Sequence, residues 1–181
     1  MKKIIKLLRF VLIAVLILFL GKTAFEKITD RYLPLKYEGE IEKYSAQYGL
    51  DEYMVMGVIR AESSFDHKAH SGVARGLMQL TDETAEWIAG KIGEDYHKDM
   101  VENPELNIKM GCYYLSYLIK HYGSIDTALA AYNGGMGNVT SWLNNKNYSD
   151  DGKTLKDIPY SETKSYVKRV KILWKIYQKL Y

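Results

Sequence analysis

A mainly helical domain, preceded by an N-terminal membrane-directed segment, is the architecture this sequence predicts. Three observations carry that expectation. Apolar residues recur at intervals of three and four through much of the chain beyond Pro34, the period of helices with one buried face. These stretches are bounded by helix signals, with Asn103-Pro104 at one start and Gly49 and Gly123 at two ends. No convincing alternation of apolar and polar residues, the mark of a half-buried strand, appears anywhere. With 181 residues, 47% hydrophobic and 26% charged, the chain suits one sizeable core plus an appendage.

The appendage is N-terminal. Met1-Lys2-Lys3-Ile4-Ile5-Lys6-Leu7-Leu8-Arg9 is basic and Phe10 to Leu20 is unbroken apolar sequence, the pattern of a secretory signal or a signal anchor. Gly21-Lys22-Thr23-Ala24-Phe25 makes a poor cleavage site, so residues 1–21 are expected to remain as a transmembrane anchor, with a cleaved signal as the alternative. Ile4 to Leu20 is just long enough for a short span when Lys6 and Arg9 snorkel toward the cytoplasm. The basic flank then leaves the remainder on the extracytoplasmic face. Residues 22–36 read as a juxtamembrane linker and 37–181 as one domain.

Within that domain the helices follow in order. Ile41, Tyr44 and Tyr48 place one from about Tyr37 to Tyr48, stopped by Gly49. Val55, Ile59 and Glu62 share a stripe on the next, about Glu52 to Ser63. Phe65 to Arg75 reads as a loop, and Thr81 or Asp82 caps a helix reaching about Ala89. From Asn103-Pro104 a longer helix carries Ile108, Gly111, Leu115, Leu118 and Tyr122 on one face. An alanine-rich helix from Ser124 to Tyr132 is expected to close in a turn over Asn133 to Gly137. Polar, turn-rich sequence leads to a last helix from Ser161, with Val167, Val170, Trp174, Tyr177 and Leu180 on one face.

Charge and cysteine usage exclude several functions. The formal charge is +3, but four of the 25 basic residues, Lys2, Lys3, Lys6 and Arg9, sit in the N-terminal flank, and the 21 that remain nearly balance the 22 acidic ones. Nothing therefore points to nucleic acid. Lone Cys112 cannot form an internal disulfide and reads as a buried helical thiol. His67, His70, His97 and His121 are scattered, with neither metal-ligand spacing nor a nucleophile signature beside them, so no metal or cofactor is expected.

Glu62 is the residue that asks for an explanation. It ends an apolar helical stretch, in Val58-Ile59-Arg60-Ala61-Glu62-Ser63-Ser64-Phe65, on the same stripe as side chains expected to be buried. Desolvation and the negative end of the helix dipole both disfavour its ionisation, as suits a general acid near neutral pH. A surface glutamate with apolar neighbours is the plainer reading of the position alone.

Three segments stand together with it in chain order: Glu62-Ser63-Ser64-Phe65, Gly76-Leu77-Met78-Gln79-Leu80, and Ala130-Ala131-Tyr132-Asn133-Gly134-Gly135. Their conjunction resembles the soluble lytic transglycosylase (SLT) family, lysozyme-like domains related to goose-type lysozyme. Asn103-Pro104-Glu105-Leu106-Asn107-Ile108, with Gly111 and Tyr114-Leu115, extends the likeness, as does Ile158 to Val167, which looks like the family's closing segment.

The resemblance implies a lysozyme-like helical fold and cleavage of peptidoglycan, and the catalytic domain is expected to be monomeric. It makes Glu62 the single catalytic acid and places Ser71, Gln79, Tyr132, Asn133 and Glu162 at the glycan groove, with Tyr132 set to contact the catalytic carboxyl; Met78 and Tyr166 are expected to bind substrate beside them. Of the 16 tyrosines, Tyr113, Tyr114 and Tyr117 are expected to pack, while Tyr132, Tyr160 and Tyr166 are expected at the ligand. Two departures from the family pattern concern the groove wall: Ser71-Gly72-Val73-Ala74-Arg75 before Gly76, and Thr81-Asp82 where relatives commonly carry methionine-proline.

Most glycosidases use two carboxylates. No partner for Glu62 is evident in the sequence, since the direction of Asp66 is not fixed by spacing. The resemblance implies a one-carboxylate scheme in which Glu62 donates a proton to the bond between N-acetylmuramic acid and N-acetylglucosamine. It then takes the proton of the C6 hydroxyl as a 1,6-anhydro ring closes. A hydrolytic muramidase and a non-catalytic glycan-binding scaffold are the alternatives.

Overall fold

Eight α-helices, one short 3-10 turn and three two-residue strands make up the described residues, 2–181, of this computed structural model. They form two compact units, Met1–Lys36 and Tyr37–Tyr181.

The first unit is helix α1 (Lys2–Tyr32). Its large apolar side chains from Ile4 to Leu20 are exposed, and Lys3–Tyr32 is long and apolar enough to cross a membrane, with a mean hydropathy of 2.7 in its most apolar window. The helix runs on without a break through most of the segment expected as a linker. That segment has no glycine or proline between Lys22 and Tyr32, and the first proline, Pro34, comes just after the helix ends.

The second unit is built around α3 (Glu52–Glu62) and α8 (Ser161–Leu180). Asp51 caps α3 by accepting from the Met54 N–H at 3.1 Å. The same carboxylate accepts from Trp174 Nε1 at 3.0 Å and from Gln178 Nε2 at 2.9 Å, so the start of α3 is tied to the end of α8. Midway along, Gly57 lets the backbones touch: a Cβ there would lie 3.1 Å from the Trp174 nitrogen and 3.2 Å from the Val170 oxygen. Val55 and Ile59 are fully buried on the expected stripe, while Leu180 at the end of α8 is exposed.

On this pair pack α2 (Glu38–Tyr48), against α3, and α6 (Ile125–Gly134), against α8, and α5 (Pro104–Tyr122) packs on both α2 and α6. Asn103 caps α5 through the Leu106 N–H, with Pro104 at the first helical position as its sequence signals, and Gly123 ends it with φ near 64°. Ser124 caps α6. Cys112 is buried on α5. Helix α4 (Asp82–Ile92), capped by Thr81, and the 3-10 turn Lys98–Val101 cover one side of α5.

Two features depart from the sequence-based expectation. The stretch read as loop contains a small antiparallel sheet of β1 (His70–Ser71), β2 (Ala74–Arg75) and β3 (Leu80–Thr81), in that spatial order, pairing His70 with Arg75 and Arg75 with Leu80. Strands of two residues are too short to show any alternation. The expected glycine turn over Asn133 to Gly137 is instead a joint between two helices. Asn133 and Gly134 continue α6, Gly135 turns the chain at φ 83°, and α7 (Met136–Leu143) begins at once.

Candidate active site

The loop between α3 and α4 is held by one buried side chain. Asn107 of α5 is fully buried, accepts from the Met78 N–H at 2.7 Å, and donates to the carbonyls of Val101 at 2.7 Å and Arg75 at 3.3 Å. Gly76 passes so close that a Cβ would overlap the Val101 oxygen and the Asn107 amide. Gly111 likewise leaves the room that the Met78 side chain fills. Met78 is therefore wholly buried, and its expected place at the ligand is corrected: a side chain packed onto the α5 backbone presents no surface to a sugar. Its contribution is the backbone, whose carbonyl accepts from the Tyr132 hydroxyl at 2.8 Å.

Gln79 follows in a left-handed conformation, φ 47°, unusual for a residue with a side chain. Its Nε2 donates to the carbonyls of Ala69 at 2.9 Å and Gly76 at 2.8 Å, stitching the base of the small sheet, while its Oε1 is buried without a partner. Ser71 stands exposed on β1, paired through its backbone with Ala74.

Glu62 is the last residue of α3, and the chain leaves it through a strained turn in which Ser64 (φ 55°) and Phe65 (φ 64°) are both left-handed. Phe65 is buried, which anchors that turn to the core. Burial raises the Glu62 carboxyl to about 7, and the nearby Tyr166 hydroxyl and Arg169 guanidinium only partly oppose this. The Tyr166 hydroxyl is itself buried with no partner at ordinary hydrogen-bond geometry, so it faces the carboxyl without fixing it. Arg169 lies over the Tyr166 ring, 5.9 Å from its centre, and donates at 3.4 Å to the Ala61 carbonyl one residue before the acid.

No carboxylate is among the groups that shift Glu62. Asp66 is exposed and turned to its own loop, accepting from the Lys68 N–H at 2.9 Å. Among the described residues no cluster of histidine, cysteine and carboxylates could hold a metal.

Burial also holds the Tyr132 and Tyr166 hydroxyls neutral, raising both far above the ordinary tyrosine range, with the Glu62 charge adding to the shift. The expectation that Tyr132 contacts the carboxyl is thereby refined: both rings sit within electrostatic reach of it, but the Tyr132 hydroxyl is committed to the Met78 carbonyl. Asn133 and Glu162 line one cavity of about 540 Å³ with Gly134, Pro159, Tyr160, Ser161 and Thr163. Tyr160 is exposed at its edge and stands on Trp142, ring centres 4.9 Å apart.

Asn107 and Arg169 were not singled out from sequence. Asn107 had a signal, because it lies four residues before Gly111 on the apolar stripe of α5, where a polar residue must find partners. Arg169 had none, being one of many basic residues on α8.

Residues 39–155 match the family model described as the transglycosylase SLT domain. The soluble lytic murein transglycosylase of Salmonella typhimurium is 34% identical over 151 residues, a match covering 81% of this chain and 23% of that protein. The membrane-bound lytic murein transglycosylase C of Yersinia pestis is 35% identical over 127 residues, covering 63% of this chain and 34% of the relative. Among solved structures, an inactive glutamate-to-glutamine mutant of lytic transglycosylase Slt from Pseudomonas aeruginosa superposes with a TM-score of 0.73 at 33% identity, over 84% of this chain and 25% of that one. This chain thus spans about a quarter of the length of the soluble relatives it matches.

Proposed function

The chain belongs to the transglycosylase SLT domain family, and from that membership we propose that it is a peptidoglycan lytic transglycosylase with Glu62 as its one acid and base. The observation that carries the reading is a half-buried carboxyl, raised to about 7 by desolvation, with no second carboxylate acting on it. The names of the relatives support the substrate, and the inactive glutamate-to-glutamine mutant of the Pseudomonas protein supports a mechanism resting on one glutamate.

The chemistry follows from the site. Protonated Glu62 gives its proton to the glycosidic oxygen between N-acetylmuramic acid and N-acetylglucosamine, and the bond from that oxygen to C1 breaks. The substrate's own N-acetyl oxygen stabilises the cation at C1, which removes the need for a second carboxylate. The Glu62 carboxylate, now favoured by the Tyr166 hydroxyl and the Arg169 charge, takes the proton from the C6 hydroxyl as O6 bonds to C1. The proton has moved from O6 to the leaving oxygen, no water is consumed, and Glu62 is restored. One group serving both steps works best with a pKa near the working pH. Gln79, Asn133, Glu162 and Ser71 are assigned to the walls of the glycan groove, with Tyr132, Tyr160 and Tyr166 beside it, the Met78 carbonyl positioning Tyr132.

We assign the start of α1 to a membrane anchor over residues 1–21, continued by 22–36 as a connector that is helical to Tyr32, with 37–181 as the catalytic domain on the extracytoplasmic face. The exposed apolar side chains of α1 and the membrane-bound Yersinia relative support this. The mass of the N-terminus on the mature protein tests it, since loss of the first twenty or so residues means a cleaved signal instead.

Mass spectrometry of digested peptidoglycan tests the activity. Anhydromuramoyl ends are expected; reducing ends would mean that water replaces the C6 hydroxyl. Glu62→Gln is expected to lower turnover by about 10³-fold, the order that general acid–base catalysis contributes. Undiminished turnover in that variant would remove Glu62 from the mechanism.

A further inference from the structure

Trp87 of α4 is 39% exposed, although an indole in a helical domain of this size is ordinarily covered. Its ring is held by neighbours: Tyr117 and Tyr114 meet it edge-on with centres 5.0 and 6.2 Å away, and the Lys91 ammonium lies 5.9 Å from its centre. The indole borders a cavity of about 470 Å³, within the range of ligand sites, whose other walls are Glu83, Thr84, Tyr114 and the joint between α6 and α7.

Packed rings lead from that cavity toward the catalytic centre. Tyr114 packs against Tyr132 with ring centres 5.4 Å apart, and Tyr132 is the ring that feels the Glu62 charge. The joint itself is shared: Asn133 and Gly134 line the cavity assigned to the glycan groove, and Gly135, Met136 and Gly137 line this one. At Gly135 and Gly137 a Cβ would meet nothing within 4 Å, so the floor is bare backbone left open.

We propose that Trp87, Tyr114 and the Gly135–Gly137 backbone form an outer saccharide subsite, which takes an N-acetylated amino-sugar ring of the strand beyond the residues at the scissile bond. This rests on the transglycosylase reading and extends it to a preference for longer strands. The apolar face of a pyranose stacks on the indole, the carboxylate of Glu83 accepts from ring hydroxyls, and the bare backbone admits the ring without a clash. A rigid aromatic anchor with one flanking acceptor suits a neutral sugar better than a charged peptide stem.

The test uses the full chain in detergent, with Glu62→Gln to prevent turnover, titrated calorimetrically with β-1,4-linked N-acetylglucosamine oligomers of increasing length. Affinity is expected to rise with length. Trp87→Ala should weaken the longest oligomer about fivefold, as loss of one aromatic contact implies, and leave the shortest unchanged. Trp87→Phe should restore most of the loss. Gly137→Leu should act like Trp87→Ala by filling the floor, although leucine favours α7 more than glycine does, which separates blocked binding from a damaged fold. Equal affinity for the longest oligomer in all variants overturns the subsite, as does equal weakening of short and long ones. A length effect that appears only with attached peptide stems overturns the saccharide assignment. A parent protein that binds no oligomer of any length overturns the transglycosylase reading and this proposal with it.

Discussion

Glu62 closes α3 and Asp82 opens α4, one carboxylate at each end of the loop that carries the small sheet. Asp82 sits at the positive end of its helix, accepts from the Tyr96 hydroxyl at 2.7 Å and pairs with Arg75, which also reaches Glu102 at 3.3 Å. Those partners, the Tyr96 hydrogen bond foremost, hold its carboxyl below the ordinary aspartate range. Glu62 sits at the negative end of its helix, is half-buried, and is raised to about 7 by desolvation. The difference teaches what separates a scaffold carboxylate from a reactive one. Partners remove the proton from Asp82 and use its charge to brace the loop; at Glu62 desolvation outweighs the Tyr166 hydroxyl and the Arg169 charge, which leaves it a proton it can transfer.

The comparison can be sharpened by removing what supports each end. Asn107→Ala should have the largest effect, since it leaves the Met78 N–H and the Val101 and Arg75 carbonyls without their buried partner. A loss of about 3 kcal/mol in denaturant unfolding is expected. Activity should fall with it, because the Met78 carbonyl that positions Tyr132 is no longer held.

Next comes the stability of Glu62→Gln as a function of pH. The folded protein holds the Glu62 proton up to about pH 7, whereas the unfolded chain releases it near the ordinary glutamate value of 4.5. Its favourable contribution is therefore full below the unfolded pKa and disappears as pH rises through the folded one. Glutamine carries no such dependence. The variant should match the parent near pH 4 and exceed it by up to about 3 kcal/mol at about pH 8. Equal stability at both would mean that Glu62 ionises as freely as an exposed glutamate.

Asp82→Asn should have the smallest effect and the opposite sign. Its lowered pKa contributes stability above the unfolded value that is lost as pH falls through the folded one. A small drop in melting temperature at neutral pH is expected, shrinking in acid and in high salt.

The helices were legible because their ends are written in the chain: Asn103-Pro104 starts α5, Thr81 caps α4, and Gly49 and Gly123 take left-handed backbone at two ends. Glu62 was legible from its place on an apolar stripe. What was not legible depends on contacts between distant residues. The three strands exist because Asn107 and Gln79 pin their loop, and neither bond has a local signature. The start of α7 was hidden because Gly135 and Gly137 read as a stop, whereas only Gly135 turns the chain. Tyr166 rather than Tyr132 faces the carboxyl because α8 packs along α3, a pairing that Gly57 permits and that no spacing within either helix announces.

The central claim is that Glu62 alone holds a transferable proton near neutral pH. A carbon-13 NMR titration of its side-chain carboxyl, assigned by comparison with Glu62→Gln, tests this most directly. A midpoint of about 7 is the result expected from its burial. A midpoint near the ordinary 4.5 of a solvated glutamate would contradict the account, because the carboxyl would then be ionised before it could act as an acid.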